Sequence, residues 1–231
     1  MSLEFEKYDQ RKYPTVPVVD GYTEWSESYD QTVFTEMSID LLERISCIHW
    51  ASTEKVLDLA CGTGLVGRWL KSRGVRHVTG LDLTPSMLEV ARAKGVYDDL
   101  RIVDMRDTGL EAGRFEVVTN SLADEHLPDL FPLYQEAFRV TKDWGYYVTV
   151  GYHPFFLLTG VPTHFDRADG QSISIKNYIH MFSDHFAAAT RAGWRLRELH
   201  ERVVDEKWVA QKPSWQKHVG KPISFLLAWQ K

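Results

Sequence analysis

The sequence predicts an α/β domain: a doubly wound, mostly parallel sheet of seven strands, with an antiparallel C-terminal edge and an N-terminal helical cap. Three observations carry that prediction. Short apolar strand patterns alternate with amphipathic helical ones from residue 55 to residue 152, the signature of parallel βαβ units. A glycine-bearing turn, Gly62-Thr63-Gly64, joins the first strand of the series to its first helix. Two late strand patterns then follow one another without a crossover helix, which suits an antiparallel edge.

Taken in order, residues 1–20 read as irregular, with Pro14 and Pro17. Residues 22–50 read as helical, with an aromatic-rich start (Tyr22, Trp25, Tyr29) and an amphipathic stretch through Met37, Leu41, Leu42 and Ile45. Lys55–Ala60 is a short apolar strand, and Leu65–Arg73 a helix stopped by Gly74. His77–Asp82 is a strand, followed by a helix over Pro85–Lys94 with proline in its first turn and Gly95 past its end. Leu100–Val103, Phe115–Asn120 and Tyr146–Tyr152 are strands, with a helix over Leu130–Thr141 before the last. Beyond Tyr152 the pattern loosens. His153–Ser174 reads as loop, Tyr178–Ala192 as a helix closed by Gly193, Arg195–Val203 as a strand, 205–221 as irregular, and Ile223–Trp229 as a closing strand.

Composition narrows the class. The 231 residues are 44% hydrophobic and 26% charged, ordinary for a globular chain. Twenty-seven basic against 32 acidic residues give a net charge of −5, without the basic stripe that nucleic acid or an anionic membrane would want. Cys47 and Cys61 form no CxxC pattern, so both read as reduced thiols. The N-terminus has no apolar core of a secretory signal, and no apolar run approaches the roughly 20 residues of a membrane span. The chain therefore reads as cytoplasmic.

The Gly62–Gly64 turn lets backbone approach a ligand, and the helix after it presents unpaired N–H groups. Gly67 completes a formal G-x-G-x-x-G, which also suits a dinucleotide. Two features favour S-adenosylmethionine. Asp58, at the end of the first strand, would repel a pyrophosphate but suits a cationic amino group. Asp104-Met105, after the third strand, offers a carboxylate to an adenine amino group and a thioether to its ring face. Asp82, at the end of the second strand, suits a ribose in either ligand.

These segments together, VLDLACGTG, GLDLTPSML, RIVDMRD and FEVVTNSLADEHL, resemble the successive motifs of class I S-adenosylmethionine-dependent methyltransferases. They are most similar to the broad group that includes the ubiquinone and menaquinone biosynthesis enzymes. Tyr22, Trp25 and Tyr29-Asp30 resemble that group's W-x-x-x-Y-D helix. The resemblance implies a Rossmann-like fold and a role for each matching residue. Asp58, Gly62 and Gly64 would hold the methionine end, with Ala60 and Cys61 in the same cofactor-binding turn. Asp82 would hold the ribose, flanked by Leu83 and Met87. Asp104 and Met105 would hold the adenine. Asn120, Ser121 and Leu122 would lie beneath the methionine portion, and Tyr22, Trp25 and Tyr29 would close over it. The domain then divides into a cap (1–50), a cofactor-binding core (51–152) and a substrate-facing insertion with closing strands (153–231).

Methyl transfer from a sulfonium needs alignment and exclusion of water rather than a metal. A hydroxyl or ammonium acceptor benefits from a base, and His126 and His153, following the fourth and fifth strands, are the placed candidates. Segment 153–180, with Phe155, Phe156, His164, Phe165, Asp166, Tyr178 and His180, is the expected specificity element. Trp208 and Trp215 belong either to a pocket wall, to a homodimer contact or to tail packing. The expected reaction is transfer to oxygen or nitrogen of a small molecule, with no metal and no nucleic-acid partner. Two other readings are a non-catalytic S-adenosylmethionine-binding module and a nicotinamide-dependent oxidoreductase. Nucleic-acid methylation is disfavoured because Asn120-Ser121-Leu122-Ala123 stands where an Asn/Asp-Pro-Pro-aromatic tetrapeptide would be expected.

Overall fold

A computed structural model of the chain describes residues 3–33 and 35–231. Seven strands form the central sheet: β1 (Lys55–Leu59), β2 (His77–Asp82), β3 (Asp99–Ile102), β4 (Phe115–Ser121), β5 (Thr141–Tyr152), β6 (Arg195–Val203) and β7 (Pro222–Gln230). Their spatial order is β6-β7-β5-β4-β1-β2-β3. The five from β5 to β3 run parallel, and β7 and β6 run antiparallel at one edge. Strand order reverses between β1 and β4, so the crevice at their carboxyl ends is where this architecture binds ligands.

Both faces of the sheet are covered, which is why its parallel strands read as continuous apolar runs. Leu57, Leu59, Leu81 and Val118 point to one face, with Leu133 and Tyr134 of a helix over Phe131–Val140 and Ala188 and Ala189 of one over Phe182–Ala192. Val56, Val78, Val117, Val148 and Val150 point to the other, under Trp69 and Leu70 of the helix Leu65–Ser72 and Leu41 and Leu42 of the helix Glu36–Glu43. Among the described residues no helix is long and apolar enough to cross a membrane.

Five segments differ from the sequence prediction. Residues 22–50 are not one helix but three, Val18–Trp25, Tyr29–Thr32 and Glu36–Glu43, with a 3-10 turn at Trp50–Ser52. Ser26 Oγ bonds back to the Thr23 carbonyl and Thr32 Oγ1 to the Ser28 carbonyl, and such side-chain bonds compete with a continuous helix. Segment 153–174 is ordered, with a helix over Pro154–Leu158 and a hairpin of His164–Asp166 with Ser172–Ile175. Thr15–Val16, in the supposedly irregular start, joins that hairpin in parallel. The helix expected from Tyr178 begins only at Phe182, because Tyr178–Ile179 pairs with Leu3–Glu4. Residues 205–221 carry a helix over Glu206–Gln211, capped by Asp205 on the Trp208 N–H, and a 3-10 turn over Pro213–His218. All five depend on partners distant in the chain or on local side-chain bonds and caps too short to produce periodicity.

Candidate functional site

The turn after β1 takes left-handed backbone at Ala60 (φ +51°), Gly62 (φ +51°) and Gly64 (φ +89°). Asp82 holds the turn: one carboxylate oxygen accepts from the Gly62 N–H at 2.8 Å, and the other from the Thr84 N–H at 2.8 Å. A Cβ built on Gly62 would meet nothing within 4 Å, so this backbone faces open space. That space is a cavity of about 230 Å³, lined by Ala60, Gly62, Asp82, Leu83, Met87, Asp104, Met105, Ser121 and Leu122 from the core and by Tyr22, Tyr29 and His126 above. Burial pushes the Asp82 carboxyl above its ordinary range, while Arg106, bonded to both oxygens of Asp104, holds that carboxyl below it.

Six of the sequence-derived candidates stand elsewhere. Asp58 is 1% exposed and turned away from the cavity; its oxygens accept from Tyr97 Oη at 2.7 Å and Thr119 Oγ1 at 2.8 Å. Burial raises its carboxyl to about 6, against the two bonds that lower it. A direct contact from Asp58 to the methionine end is therefore not what this geometry offers; the carboxylate organises the strand end instead. Cys61 is buried, its N–H on the Leu81 carbonyl, and Gly64 serves the turn, its N–H on Cys61. Asn120 lies under the floor, donating to the Leu59 carbonyl at 3.3 Å; its Oδ1 has no partner among the described residues. Trp25 lies beyond the cavity, stacked on Phe165 with ring centroids 5.5 Å apart. His153 lines neither this cavity nor the one that adjoins it. Its Nδ1 caps the helix Pro154–Leu158 by accepting from the Phe155 N–H at 3.1 Å, and its Nε2 pairs with Glu201 at 2.8 Å. Both nitrogens are thus bonded to the helix start and to the sheet edge.

Tyr97 is a key residue that the sequence did not announce. Its ring lies over Gly64, Gly67 and Gly80, where added Cβ atoms would stand 2.9, 2.3 and 2.9 Å from ring carbons. Gly67, the third glycine of the formal dinucleotide motif, therefore makes room for a tyrosine.

The cap is tied to the turn by Asp30, which accepts from Thr63 Oγ1 and Lys94 Nζ, each at 2.5 Å. His126 receives two bonds that fix its tautomer. Nδ1 faces the Lys176 carbonyl at 2.7 Å and must donate; Nε2 therefore accepts from the Tyr22 hydroxyl at 2.8 Å. Burial lowers this imidazole to about 4, so it is neutral near pH 7. The adjacent Asp124 and Glu125 are buried rather than solvated at a helix start, and burial raises both carboxyls.

A second cavity, of about 330 Å³, adjoins the first, and Leu122 lines both. Leu122 holds that place in left-handed backbone (φ +53°), its N–H bonded to Val150 in β5. The walls are aromatic, with Trp25, Tyr152, Phe156, Phe165 and Trp215. His164 is the imidazole midway along the insertion: its Nδ1 donates to the Pro162 carbonyl at 2.8 Å, leaving Nε2 as the unprotonated nitrogen. Of the expected specificity segment, Phe156, His164, Phe165 and Asp166 line this cavity. Phe155 and Tyr178 do not, and His180 is buried elsewhere, donating to the Leu127 carbonyl. Trp208 packs in the core with Met37, Val204 and Ile223, while Trp215 is pocket wall.

Comparison with known proteins points to methyltransferases. The family described as "Methyltransferase domain" matches residues 57–149. An uncharacterized methyltransferase of Emericella nidulans is 28% identical over 247 residues, covering 87% of this chain and 86% of that protein. A ubiquinone biosynthesis O-methyltransferase of Marinobacter nauticus is 29% identical, covering 63% of this chain and 66% of that one. The crystal structure of an S-adenosylmethionine-dependent methyltransferase from Mesorhizobium loti superposes with a TM-score of 0.68 at 20% identity, covering 92% of this chain and all (100%) of the other, a likeness of fold.

Proposed function

We propose that the chain is an S-adenosylmethionine-dependent methyltransferase, a reading supported by the matching methyltransferase family and the Emericella nidulans relative, and that it methylates an oxygen or nitrogen of a small molecule held in the larger cavity. The observation that carries the proposal is the pair of cavities sharing Leu122: one suited to the cofactor, the other to an acceptor.

The residues of the smaller cavity fit the cofactor's chemistry. Gly62 offers open backbone, Asp82 a half-buried carboxylate for the ribose hydroxyls, and Leu83, Met87 and Met105 an apolar wall for the adenine, with Asp104 at its edge. Asn120 beneath and Tyr22 and Tyr29 above complete the enclosure. When bound, S-adenosylmethionine supplies a methyl group on a sulfonium that is already a good leaving group.

The chain's own work is then positioning, dehydration and proton removal. Tyr22 donates its proton to His126, so the lone pairs of its oxygen remain for the cavity. His126 acts as a positioning residue, because its accepting nitrogen is already used. On the acceptor side His164 Nε2 is the proton acceptor of this proposal, its ring held by Pro162.

Incubating the protein with S-adenosylmethionine labelled in the methyl group and a low-molecular-mass metabolite extract tests this. Label is expected in the small-molecule fraction, with release of S-adenosylhomocysteine. His164→Ala is expected to lower the initial rate about 100-fold, the lower end of a general base's contribution, with cofactor affinity unchanged. Cofactor binding without release of S-adenosylhomocysteine from any fraction would favour a non-catalytic binding module. An undiminished rate in His164→Ala would remove the base.

A further inference from the structure

The larger cavity carries a charge opposite to that of the molecule. Over the whole chain acidic residues outnumber basic ones and the net charge is −5. Yet Arg11, Lys212, Lys217 and His218 all line this one cavity, with Asp166 as its acidic wall residue. Asp166 is engaged by the Ser172 hydroxyl. The basic residues come from two distant segments, the start of the chain and the 212–218 turn, and meet only through the fold.

Two features show that this wall is built for a ligand rather than merely solvated. Lys212 is half-buried, its ammonium 5.1 Å from the centre of the Trp215 ring. His218 is 8% exposed, set edge-on to Phe156, and its buried Nδ1 has no hydrogen-bond partner among the described residues. Burial and the neighbouring cations Lys217, Lys221 and Arg11 hold this imidazole below its ordinary range. Glu36 lies close enough to Lys212 to act on its charge. The cations Arg11, Lys212 and Lys217 give this wall a positive potential, to which the orphaned His218 Nδ1 adds a polar group, and charge complementarity of this kind selects for an anion.

Resting on the methyl-transfer reading above, we propose that the acceptor carries an oxyanion, a carboxylate or a phosphate, and that the wall formed by Arg11, Lys212, Lys217 and His218 holds it as a handle. The oxyanion is not the methylated atom. None of these four residues lines the cofactor cavity, so the handle is bound on the acceptor side while a separate hydroxyl or amine faces Leu122. The aromatic walls take the body of the molecule between the two.

The test is calorimetric titration of the full chain, loaded with S-adenosylhomocysteine, with three probes of one shape: 4-hydroxybenzoate, 4-hydroxyphenyl phosphate and 4-hydroxybenzamide. At least one anionic probe is expected to bind tenfold or more tightly than the amide, about the effect of one charge-assisted bond. The carboxylate and phosphate arms identify which oxyanion the wall prefers. A Lys212→Gln/Lys217→Gln variant, altered at two polar positions of the turn, is expected to erase the preference while binding S-adenosylhomocysteine normally. Binding of the amide equal to that of both anions, no binding of either anion, or a preference that survives in the variant overturns the proposal. Loss of S-adenosylhomocysteine binding by the unaltered protein would instead strike the methyl-transfer reading itself, so the two failures are distinguishable.

Discussion

Asp82→Ala lowers the affinity for S-adenosylhomocysteine by about 10- to 150-fold, the range that follows from losing a charge-assisted contact of about 1.5–3 kcal/mol. Two effects combine. Among the described residues the variant loses the one carboxylate that lines the cavity besides Asp104, and Asp104 is already paired with Arg106. It also frees the Gly62 and Thr84 N–H groups, so the turns after β1 and β2 lose their shared anchor. Asp82→Asn separates the effects, because an amide oxygen can keep one of those backbone bonds without supplying charge; its affinity is expected to fall between the other two. Calorimetry measures the affinities, and circular dichroism with thermal unfolding checks that the variants are folded. Affinity within twofold of the original in Asp82→Ala would show that the cofactor does not rest on this residue.

Gly67→Ala destabilises the protein by about 2–4 kcal/mol, far more than a glycine-to-alanine change inside a helix would suggest from propensity, where alanine is favoured. The new Cβ would stand 2.3 Å from Tyr97 Cζ and 2.5 Å from its hydroxyl oxygen. Overpacking of that kind costs about 1–3 kcal/mol. The displaced ring also gives up its 2.7 Å bond to Asp58, and because Thr119 remains as a partner the further cost is at the low end for a buried group, about 1 kcal/mol. For a chain of this length the sum corresponds to a Tm lower by roughly 5–15 °C. Gly62→Ala is the comparison: its left-handed backbone carries strain of about 1–2 kcal/mol, but its Cβ enters open space, so the loss of stability is smaller. A Gly67→Ala Tm within 2 °C of the original would mean that Tyr97 moves aside freely and that its bond to Asp58 matters little.

Local chemistry decided what could be read without coordinates. The sheet was legible because Val56 to Leu59, Val78 to Leu81 and Val117 to Asn120 are buried on both faces and leave apolar runs between polar turns. The cavity proposed for the cofactor was largely legible because Gly62, Asp82 and Asp104-Met105 each stand at or after a strand end, and the fold brings strand ends together. Asp58 misled because its position on β1 gives no hint of Tyr97, which reaches it from the loop before β3. The visible trace of that arrangement is three glycines, at 64, 67 and 80, where a turn requires fewer. His153 misled because a histidine at a strand end and a histidine capping the next helix occupy the same position in sequence; the pairing with Glu201 in β6 decides between them. The acceptor cavity was half legible. Phe156, His164 and Phe165 lie in the insertion that was expected to form it, but Arg11, Lys212, Trp215 and His218 come from segments read as irregular.

We propose that the cofactor occupies the smaller cavity with its reacting end at Leu122, facing the larger one. A crystal structure with S-adenosylhomocysteine bound tests this most directly. The account predicts the ribose on Asp82, the adenine against Met87 and Met105, and the sulfur beside Leu122 with an open path to the cavity walled by His164 and Trp215. A ligand bound outside this cavity, or a sulfur facing away from Leu122, would contradict it.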